Sequence, residues 1–381
     1  MTKRITPSQI KKNNRQQIYN FIYQKGKVSQ QDITYALHLS RPTVATNLAE
    51  LEEDGLICKS GQLESDQIGR KAVAYAIVPD FRVAVGVELM RNCVKLIAVD
   101  LYGQKLRREV LSRRYINRES YYQELCGDIQ RFINALEIPH SRILGIGIAV
   151  QGLVSPDGRT VVYGAILSNT GISIDAFEQW LDLPCRFVHD PDGAALSELW
   201  VSPDITDAIY ISLSRHLGGA RIVDGHIQTG KHGHTATFEH IQARPRGLEC
   251  YCGKRGCWDT LCSMKALVGD GDPDVFFAEA RIPGTEEFRK WQAFLKNLAR
   301  LIEDLHLVDD VDIILGGHLA PYITEADIQG LYREIELLCP FEDSTDFIRL
   351  SKMPSHNITV GASLPYIRAF LEDIDANVEE A

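Results

Sequence analysis

One histidine and three cysteines near the middle of the chain form the pattern that most constrains its fold. The four residues follow the spacing H-x9-C-x-C-x4-C and are His240, Cys250, Cys252 and Cys257. Three thiols and an imidazole on one loop match a closed tetrahedral zinc site with no open coordination position. The spacing therefore predicts a structural zinc rather than a catalytic one. The alternative is a set of scattered buried cysteines with a histidine nearby.

The rest of the composition is that of a globular protein of two or three domains, since the chain has 381 residues. No apolar stretch approaches the roughly 20 residues needed to cross a bilayer, and the first residues lack the apolar core of a signal peptide. Nine cysteines in such a chain indicate thiols or metal ligands rather than a disulfide framework. We therefore expect a cytoplasmic location without membrane insertion.

Charge is distributed unevenly along the chain. The net charge of −10 would by itself argue against a nucleic-acid partner. However, residues 1–49 hold eight lysines and arginines against a single acid, Asp32, and the acidic excess lies beyond residue 77. A basic head on an acidic body suits contact between the head and phosphate groups. A solvated terminus would show the same charge balance, so charge alone leaves both interpretations open.

The order of predicted helices and strands in the head favours DNA binding. Apolar residues at helical spacing predict a first helix that ends at Gly26, and Ser29 and Asp32 form a capping box for a second helix. After a short turn, Ser40 caps a third helix. The alternating stretch that follows indicates a hairpin with a basic turn. Together these elements predict a winged helix-turn-helix over residues 1–80.

The third helix is predicted to enter the major groove of duplex DNA. Val44, Leu48 and Leu51 recur at i, i+4 and i+7 and are predicted to be buried, so the polar residues between them should project outward. Threonine and asparagine can hydrogen-bond base edges, and arginine can reach guanine or phosphate. A three-helix protein-binding module is the alternative, which the wing and the basic charge disfavour. The predicted DNA contacts are Ser40, Arg41, Thr43, Thr46, Asn47, Arg70 and Lys71.

Beyond the head, short apolar strands alternate with helical stretches. This α/β pattern predicts two lobes around a cleft, which is where ligands of such proteins lie. We predict a first lobe over residues 81–195 and a second lobe, with the zinc loop, over residues 196–356. Residues 357–381 should return to close the first lobe.

Several motifs of the body resemble those of one family. The zinc segment ends in CYCGKRGCWD, the segment GIGIAVQGLVSPDG resembles a sugar-lobe loop, and PCRFVHDPDGAALSELW resembles a segment that carries an acidic sugar ligand. ILGG and TVGASLPYI resemble the last strand and closing helix of the same proteins. On these motifs the chain resembles the ROK proteins, which include bacterial sugar kinases and sugar-responsive repressors. The resemblance covers almost the whole chain and implies an actin-like, ribonuclease H-like fold. An N-terminal winged helix is the arrangement of the repressor branch.

The resemblance also implies a ligand site. It places Asp190 at the acidic sugar ligand, although this residue could instead cap the helix that begins at Pro191. The family's usual glutamate is Thr237 here, which is shorter and neutral, so the effector is expected to be a different sugar, a sugar phosphate or a polyol. Asn169 is a hydroxyl partner or simply a turn-forming residue. The expected ligand contacts are Gln151, Gly152, Asn169, His189, Asp190, Thr237 and His240.

The two loops that would hold ATP in a kinase of this type depart from the kinase pattern. The expected D-x-G-G-T is replaced by a segment with Glu88 for the aspartate and Met90–Arg91 for the glycines, whose side chains would block close approach of phosphate. The second loop keeps Gly218–Gly219 but has Arg215–His216 where a nucleotide would lie. The sequence therefore predicts a protein that is not an enzyme.

These features together predict a homodimeric or larger transcriptional regulator, most simply a repressor of genes for carbohydrate uptake or catabolism. Its partners would be double-stranded operator DNA and the effector. Two alternatives remain at this point. One is a sugar kinase with an added DNA-binding domain, and the other is a regulator whose body docks a partner protein.

Overall fold

The computed structural model describes residues 6–63, 72–340, 346–353 and 357–375. The head is a three-helix unit with a small sheet in the strand order β1-β3-β2, which confirms the predicted winged helix-turn-helix. Arg70 and Lys71, the predicted wing contacts, lie outside the described residues. The elements of the head are α1 (Pro7–Lys25), β1 (Val28–Ser29), α2 (Gln30–Leu37), α3 (Arg41–Glu53), β2 (Ile57–Gln62) and β3 (Val73–Ile77).

Local capping determines where the head helices begin. Ser29 accepts a hydrogen bond from the backbone N–H of Asp32, and the Asp32 carboxylate accepts one from the backbone N–H of Ser29, as the capping box requires. His38 adopts a left-handed conformation at the end of α2, which reverses the chain. The Oγ of Ser40 then accepts a hydrogen bond from the Thr43 N–H at 3.2 Å and caps α3.

Asn47 does not project from α3, and this prediction was wrong. Only 3% of Asn47 is exposed, and its amide donates to the carbonyl oxygen of Thr43 at 2.8 Å. At about 100° per residue, Asn47 lies only about 40° from Leu51 around the helix. The helical spacing that buries Leu51 therefore buries Asn47 as well. The outward face of α3 carries Arg41, Ala45 and Thr46 instead.

The first lobe contains a five-stranded sheet in the order β10-β7-β4-β5-β6. Strands β4, β5 and β6 are antiparallel, whereas β7 and β10 run parallel to β4. The elements are β4 (Val83–Leu89), β5 (Cys93–Val99), β6 (Lys105–Ser112), α4 (Glu119–Asn134), β7 (Ile143–Val150), β8 (Leu153–Val154), β9 (Val161–Tyr163), α5 (Asp175–Glu178), β10 (Cys185–His189) and α6 (Asp190–Val201).

The second lobe repeats this topology, with a sheet in the order β13-β12-β11-β14-β15. Strands β11 to β13 are antiparallel, and β14 and β15 are parallel to β11. The elements are β11 (Ala208–Leu213), β12 (Leu217–Val223), β13 (His226–Gln228), α7 (Asp259–Cys262), α8 (Met264–Val268), α9 (Pro273–Glu279), α10 (Glu286–His306), β14 (Asp312–Gly316), α11 (Glu325–Glu336) and β15 (Ile348–Leu350). The predicted lobe boundary at residue 195 falls inside α6, which contacts both sheets.

The final helix, α12 (Ile358–Glu372), returns to the first lobe and packs on β4, β7 and α6. Two glycines make this close approach feasible. A Cβ atom on Gly86 would overlap the carbonyl oxygen of Thr359, and a Cβ atom on Gly147 would overlap that of Ala362. Because these strand positions have no side chain, the backbone of α12 lies directly against the sheet. Among the described helices, none is both long and apolar enough to span a lipid bilayer.

The head and the body share one hydrophobic core. Ile18, Tyr19 and Ile22 on α1 are fully buried in the same cluster as Ile367 and Phe370 on α12. Only five residues separate β3 from β4, so the connection is short. The head is therefore packed against the C-terminal half of α12 and is not attached only by a linker.

Polar contacts fix the angle of the head at this junction. The guanidinium of Arg15 forms ion pairs with Asp54 of the head and, at 2.9 Å, with Asp375 just beyond α12. Near the end of α1, the Tyr23 ring stacks on Tyr102 with centroids 4.8 Å apart. The Tyr23 hydroxyl also donates to a body carbonyl at 3.0 Å. A change in the position of α12 would therefore move the head with it.

Candidate functional site

A cleft lies between the two lobes at the carboxyl ends of the first-lobe strands β4, β7 and β10. Its opposite wall is the turn between β11 and β12 together with the segment around His240. This is the position that the α/β architecture predicts for a ligand. Five of the seven predicted ligand contacts line it, namely Gln151, Gly152, His189, Asp190 and His240.

Asp190 is the first residue of α6, where the chain leaves β10 and turns into the cleft. It is not the N-cap, because that position is occupied by His189, which makes no side-chain capping bond. Burial and the nearby charge of Glu88 raise the pKa of Asp190 to about 8. Burial also lowers the pKa of His189 to about 4, so this imidazole is neutral near pH 7. Asp190 is thus available to hydrogen-bond a ligand hydroxyl.

Two further carboxyl groups line the cleft, although the sequence did not predict them there. Glu239 is 4% exposed, and burial raises its pKa to about 8. Glu88 is 6% exposed and forms an ion pair with Lys95 at 3.2 Å. The hydroxyl of Thr359 donates to Glu88 at 2.8 Å, which joins the cleft to the start of α12. The position of Glu88 at the end of β4, in the segment that departs from the kinase pattern, was the available signal for its location.

Two predicted ligand contacts lie outside the residues that line the cleft. Thr237 precedes a short 3-10 helix, and its hydroxyl donates to the carbonyl of His234 at 3.1 Å. The carboxylate in this segment comes from Glu239 instead, two residues later. Asn169 is 1% exposed and packs against Gly164 behind the cleft wall. Neither side chain lines the cleft, and their assignment as ligand contacts stays a prediction.

The predicted metal ligands come together next to the cleft. The ligand atoms of His240, Cys250, Cys252 and Cys257 all lie within 4.8 Å of one another. The Sγ atoms of Cys252 and Cys257 are 3.7 Å apart, and Nδ1 of His240 is 3.7 Å from the Sγ of Cys250. Tetrahedral zinc with bonds of about 2.3 Å to sulfur requires sulfur atoms about 3.8 Å apart. The four residues thus form a cluster that fits a tetrahedral metal ion.

His240 connects this cluster to the cleft. Its Nδ1 faces the thiols, whereas its Nε2 lies 3.9 Å from a carboxylate oxygen of Glu239. The ring of Tyr251 packs edge-on against His240, with centroids 5.0 Å apart, and also lines the cleft. Any ion that fixes Nδ1 would therefore fix the orientation of the imidazole edge that a ligand meets.

Most of the predicted DNA contacts on α3 are exposed or half-buried. Ser40, Arg41 and Thr46 are exposed, and Thr43 is half-buried. The hydroxyls of Ser40 and Thr43 lie 2.8 Å apart, so both serve the helix cap in the absence of DNA. The exposed residues lie at the N-cap and in the first half of α3, the part of a recognition helix that reaches base edges.

The positions that differ from the kinase pattern lie at the rim of the cleft. Arg91 donates to the carbonyl of Ile166 at 2.7 Å, across the cleft entrance. Arg215 forms an ion pair with Asp270 at 2.6 Å. Met90 and His216 line the space between these arginines. Bulky side chains from both segments therefore lie at this rim of the cleft.

The chain belongs to the ROK family, whose profile matches residues 84–327. A second profile, described as winged helix-turn-helix DNA-binding, matches residues 12–57. Among curated proteins, the chain is 28% identical to the DNA-binding transcriptional dual regulator NagC of Escherichia coli over 262 residues, which are 68% of this chain and 64% of that protein. It is 24% identical to the xylose repressor of Bacillus subtilis over 267 residues, 68% of each chain.

Solved structures confirm the predicted fold. A ROK family transcriptional regulator described as a homolog of the E. coli MLC protein superposes with a TM-score of 0.74 at 22% identity, covering 98% of this chain and all of the other. A ROK family glucokinase from Streptomyces griseus, in complex with glucose and AMPPNP, gives a TM-score of 0.63 at 21% identity and covers 74% of this chain and 98% of the other. The regulator therefore matches nearly the whole of this chain, whereas the kinase matches about three quarters of it.

Proposed function

We propose that this protein is a sugar-responsive transcriptional regulator, most simply a repressor, that binds operator DNA through its winged helix. One observation carries the proposal: α12 touches the cleft at one end and the DNA-binding head at the other. Ile358 lines the cleft, and Phe370 lies in the core shared with α1. The 15 residues of this helix span about 22 Å. A ligand that shifts the start of α12 would therefore change the orientation of the head.

The effector is expected to be an uncharged sugar or polyol. Three carboxyl groups line the cleft, from Glu88, Asp190 and Glu239, and each can accept hydrogen bonds from hydroxyl groups. The arginine that lines the cleft, Arg215, is already paired with Asp270. A phosphate group on the ligand would thus meet carboxyl groups and an arginine that is already engaged. Two relatives are named for the uncharged sugars N-acetylglucosamine and xylose, which supports the same class.

Zinc is the metal that we assign to the cluster of His240, Cys250, Cys252 and Cys257. Cysteine-rich ligand sets with one histidine are typical of structural zinc, which supplies folding energy and no open position for chemistry. The cluster would hold the loop before α7 and orient His240 toward the effector. The side chains of Met90 and Arg91 further support a regulator without kinase activity, because they occupy the place of a phosphate-binding loop.

The ligand is tested by thermal unfolding of the full chain with a panel of uncharged sugars and polyols. A sugar that occupies the cleft at 100 times its Kd should stabilise the protein by about 2.7 kcal/mol. At pH 9, where Asp190 is ionised, Asp190→Asn should remove at least about 90% of this affinity, since a charge-assisted hydrogen bond is lost. The control is Asp182→Asn, an exposed aspartate outside the cleft. Phosphorylation of any sugar in the panel at the expense of ATP, at ordinary enzyme rates, would contradict the proposal.

The affinity of the cleft for sugar should depend on pH, and the direction of the change follows from the pKa of Asp190. Because the pKa of Asp190 is raised to about 8, most molecules of the free protein carry this group protonated at pH 7. A carboxylate accepts hydroxyl hydrogen bonds more strongly than a carboxylic acid does. The affinity for sugar should therefore increase between pH 7 and pH 9, and Asp190→Asn should remove most of that increase. An affinity that falls over this range would contradict the role assigned to Asp190.

A further inference from the structure

A second cavity lies behind the sugar cleft, between β10, α6 and α12. Its volume is about 290 Å³, which is enough for a small metabolite. His189 lines both cavities and separates them, with Asp190 on the cleft side. The described relatives and the proposed regulator function assign nothing to this space.

Arg186 on β10 gives the cavity an unpaired positive charge. Its Nε atom is buried and has no hydrogen-bond partner. Within the described part of the chain, its guanidinium forms no ion pair with a carboxylate. Leaving a charged donor without a partner costs more free energy than leaving a neutral one. A guanidinium in this state is therefore suited to an anion that enters from solvent.

A second arginine reaches the same cavity from α12. Arg368 donates one hydrogen bond of 3.3 Å, to the carbonyl of Gly225, and likewise has no carboxylate partner among the described residues. Guanidinium groups present several donors in a fixed plane that matches the geometry of phosphate and carboxylate. Two such groups from different elements would hold an anion between the first-lobe sheet and α12.

The other polar side chains of the cavity suit hydroxyl groups on the same ligand. Asp192 lies on the first turn of α6, and its burial raises its pKa to about 7, which weakens its opposition to an anion. Glu372 lies at the exposed rim, and His226 adds an imidazole there. Trp200 supplies an apolar wall. Two arginines, a hydrogen-bond acceptor and an aromatic surface are together suited to a small anion that also carries hydroxyl groups.

We propose that this second cavity binds a small phosphorylated or carboxylated hydroxy compound through Arg186 and Arg368, at a site separate from the sugar cleft. The ligand would contact one face of α12, while Ile367 and Phe370 on the same helix hold the head. The regulator would thus receive a second metabolic signal on the helix that connects the cleft to the head.

The proposal is tested by isothermal titration calorimetry of the full chain at constant ionic strength. The probes are glycerol 3-phosphate and glycerate, which distinguish phosphate from carboxylate, and glycerol is the uncharged control. At least one of the two anions should bind and glycerol should not. Arg186→Gln and Arg368→Gln should each weaken that binding at least tenfold. Arg333→Gln, which changes an exposed arginine of α11, and Asp190→Asn in the cleft should leave it within twofold of the wild-type value.

Four results would overturn the proposal. Neither anion binds at millimolar concentration, or both arginine variants bind the anion as the wild type does. Alternatively, Asp190→Asn abolishes the binding, which would place the anion in the sugar cleft, or Arg333→Gln weakens it equally, which would show general charge attraction. Stabilisation of Arg186→Gln by an uncharged sugar should persist, so failure here is distinguishable from failure of the proposed regulator function.

Discussion

Replacing Phe370 by alanine should lower the free energy of unfolding by about 3–5 kcal/mol and release the head from the body. Phe370 is fully buried at the end of α12, between Tyr19 of α1 and Phe81. Its ring centroid lies 6.3 Å from that of Tyr19 in an edge-on arrangement. Truncation removes this contact and leaves a cavity between the two parts of the protein. Urea unfolding measures the stability, and hydrogen exchange of α1 measures the docking.

A second truncation distinguishes loss of the contact between head and body from a general loss of stability. Phe277 lies in the core of the second lobe, is 8% exposed and stacks on Tyr322. Phe277→Ala should also destabilise the protein but should leave the exchange of α1 amides unchanged. If Phe370→Ala left α1 as protected as in the wild type, the head would be held by contacts other than this core. The proposed role of α12 would then be wrong.

Cys257→Ser should remove the metal and disorder the loop that borders the cleft. Cys257 is fully buried and its sulfur lies 3.7 Å from that of Cys252. Structural zinc sites contribute apparent binding energies of about 10–16 kcal/mol, which corresponds to about 2.5–4 kcal/mol for each of the four ligands. Zinc content measured after dialysis should fall from about one ion per chain to less than about 0.1. Because His240 would no longer be fixed, sugar affinity should fall about tenfold or more.

The matched control for this variant is Cys58→Ser. Cys58 lies on β2 of the head and is exposed, so its removal should change neither zinc content nor sugar affinity. A Cys257→Ser protein with a full complement of zinc would contradict the assignment of the four ligands. A variant that lost zinc but bound sugar with the wild-type Kd would contradict the link between the metal cluster and the cleft.

Local signals in the sequence were sufficient to predict most of the fold. The capping boxes, the spacing of apolar residues and the His-Cys loop are each determined by residues close in the chain, and the structure places them as predicted. The strand β6 does not follow the pattern of short apolar strands, because its side chains are mostly exposed and include Lys105, Arg107 and Arg108. A strand at the edge of a sheet needs little apolar character, so its pattern carries a weak signal.

The side chains whose positions differ from those expected from the sequence have orientations that depend on the surrounding structure. Asn47 lies close to Leu51 around α3, and its polar side chain is accommodated in the interior because its amide donates to the backbone of its own helix. Thr237 and Glu239 are only two positions apart, yet Glu239 lines the cleft and Thr237, just before the short 3-10 helix, does not. The shared core of α1 and α12 joins residues more than 300 positions apart and has no local signal.

The central claim is that occupancy of the cleft and the orientation of the head are coupled through α12. The most direct test first selects a duplex that the full protein binds from a random pool, and then measures its Kd with and without a saturating sugar that requires Asp190. We expect the sugar to change the DNA affinity by about 5- to 150-fold, and the DNA to change the sugar affinity by the same factor. An unchanged DNA Kd, with the sugar bound in the cleft, would contradict the account.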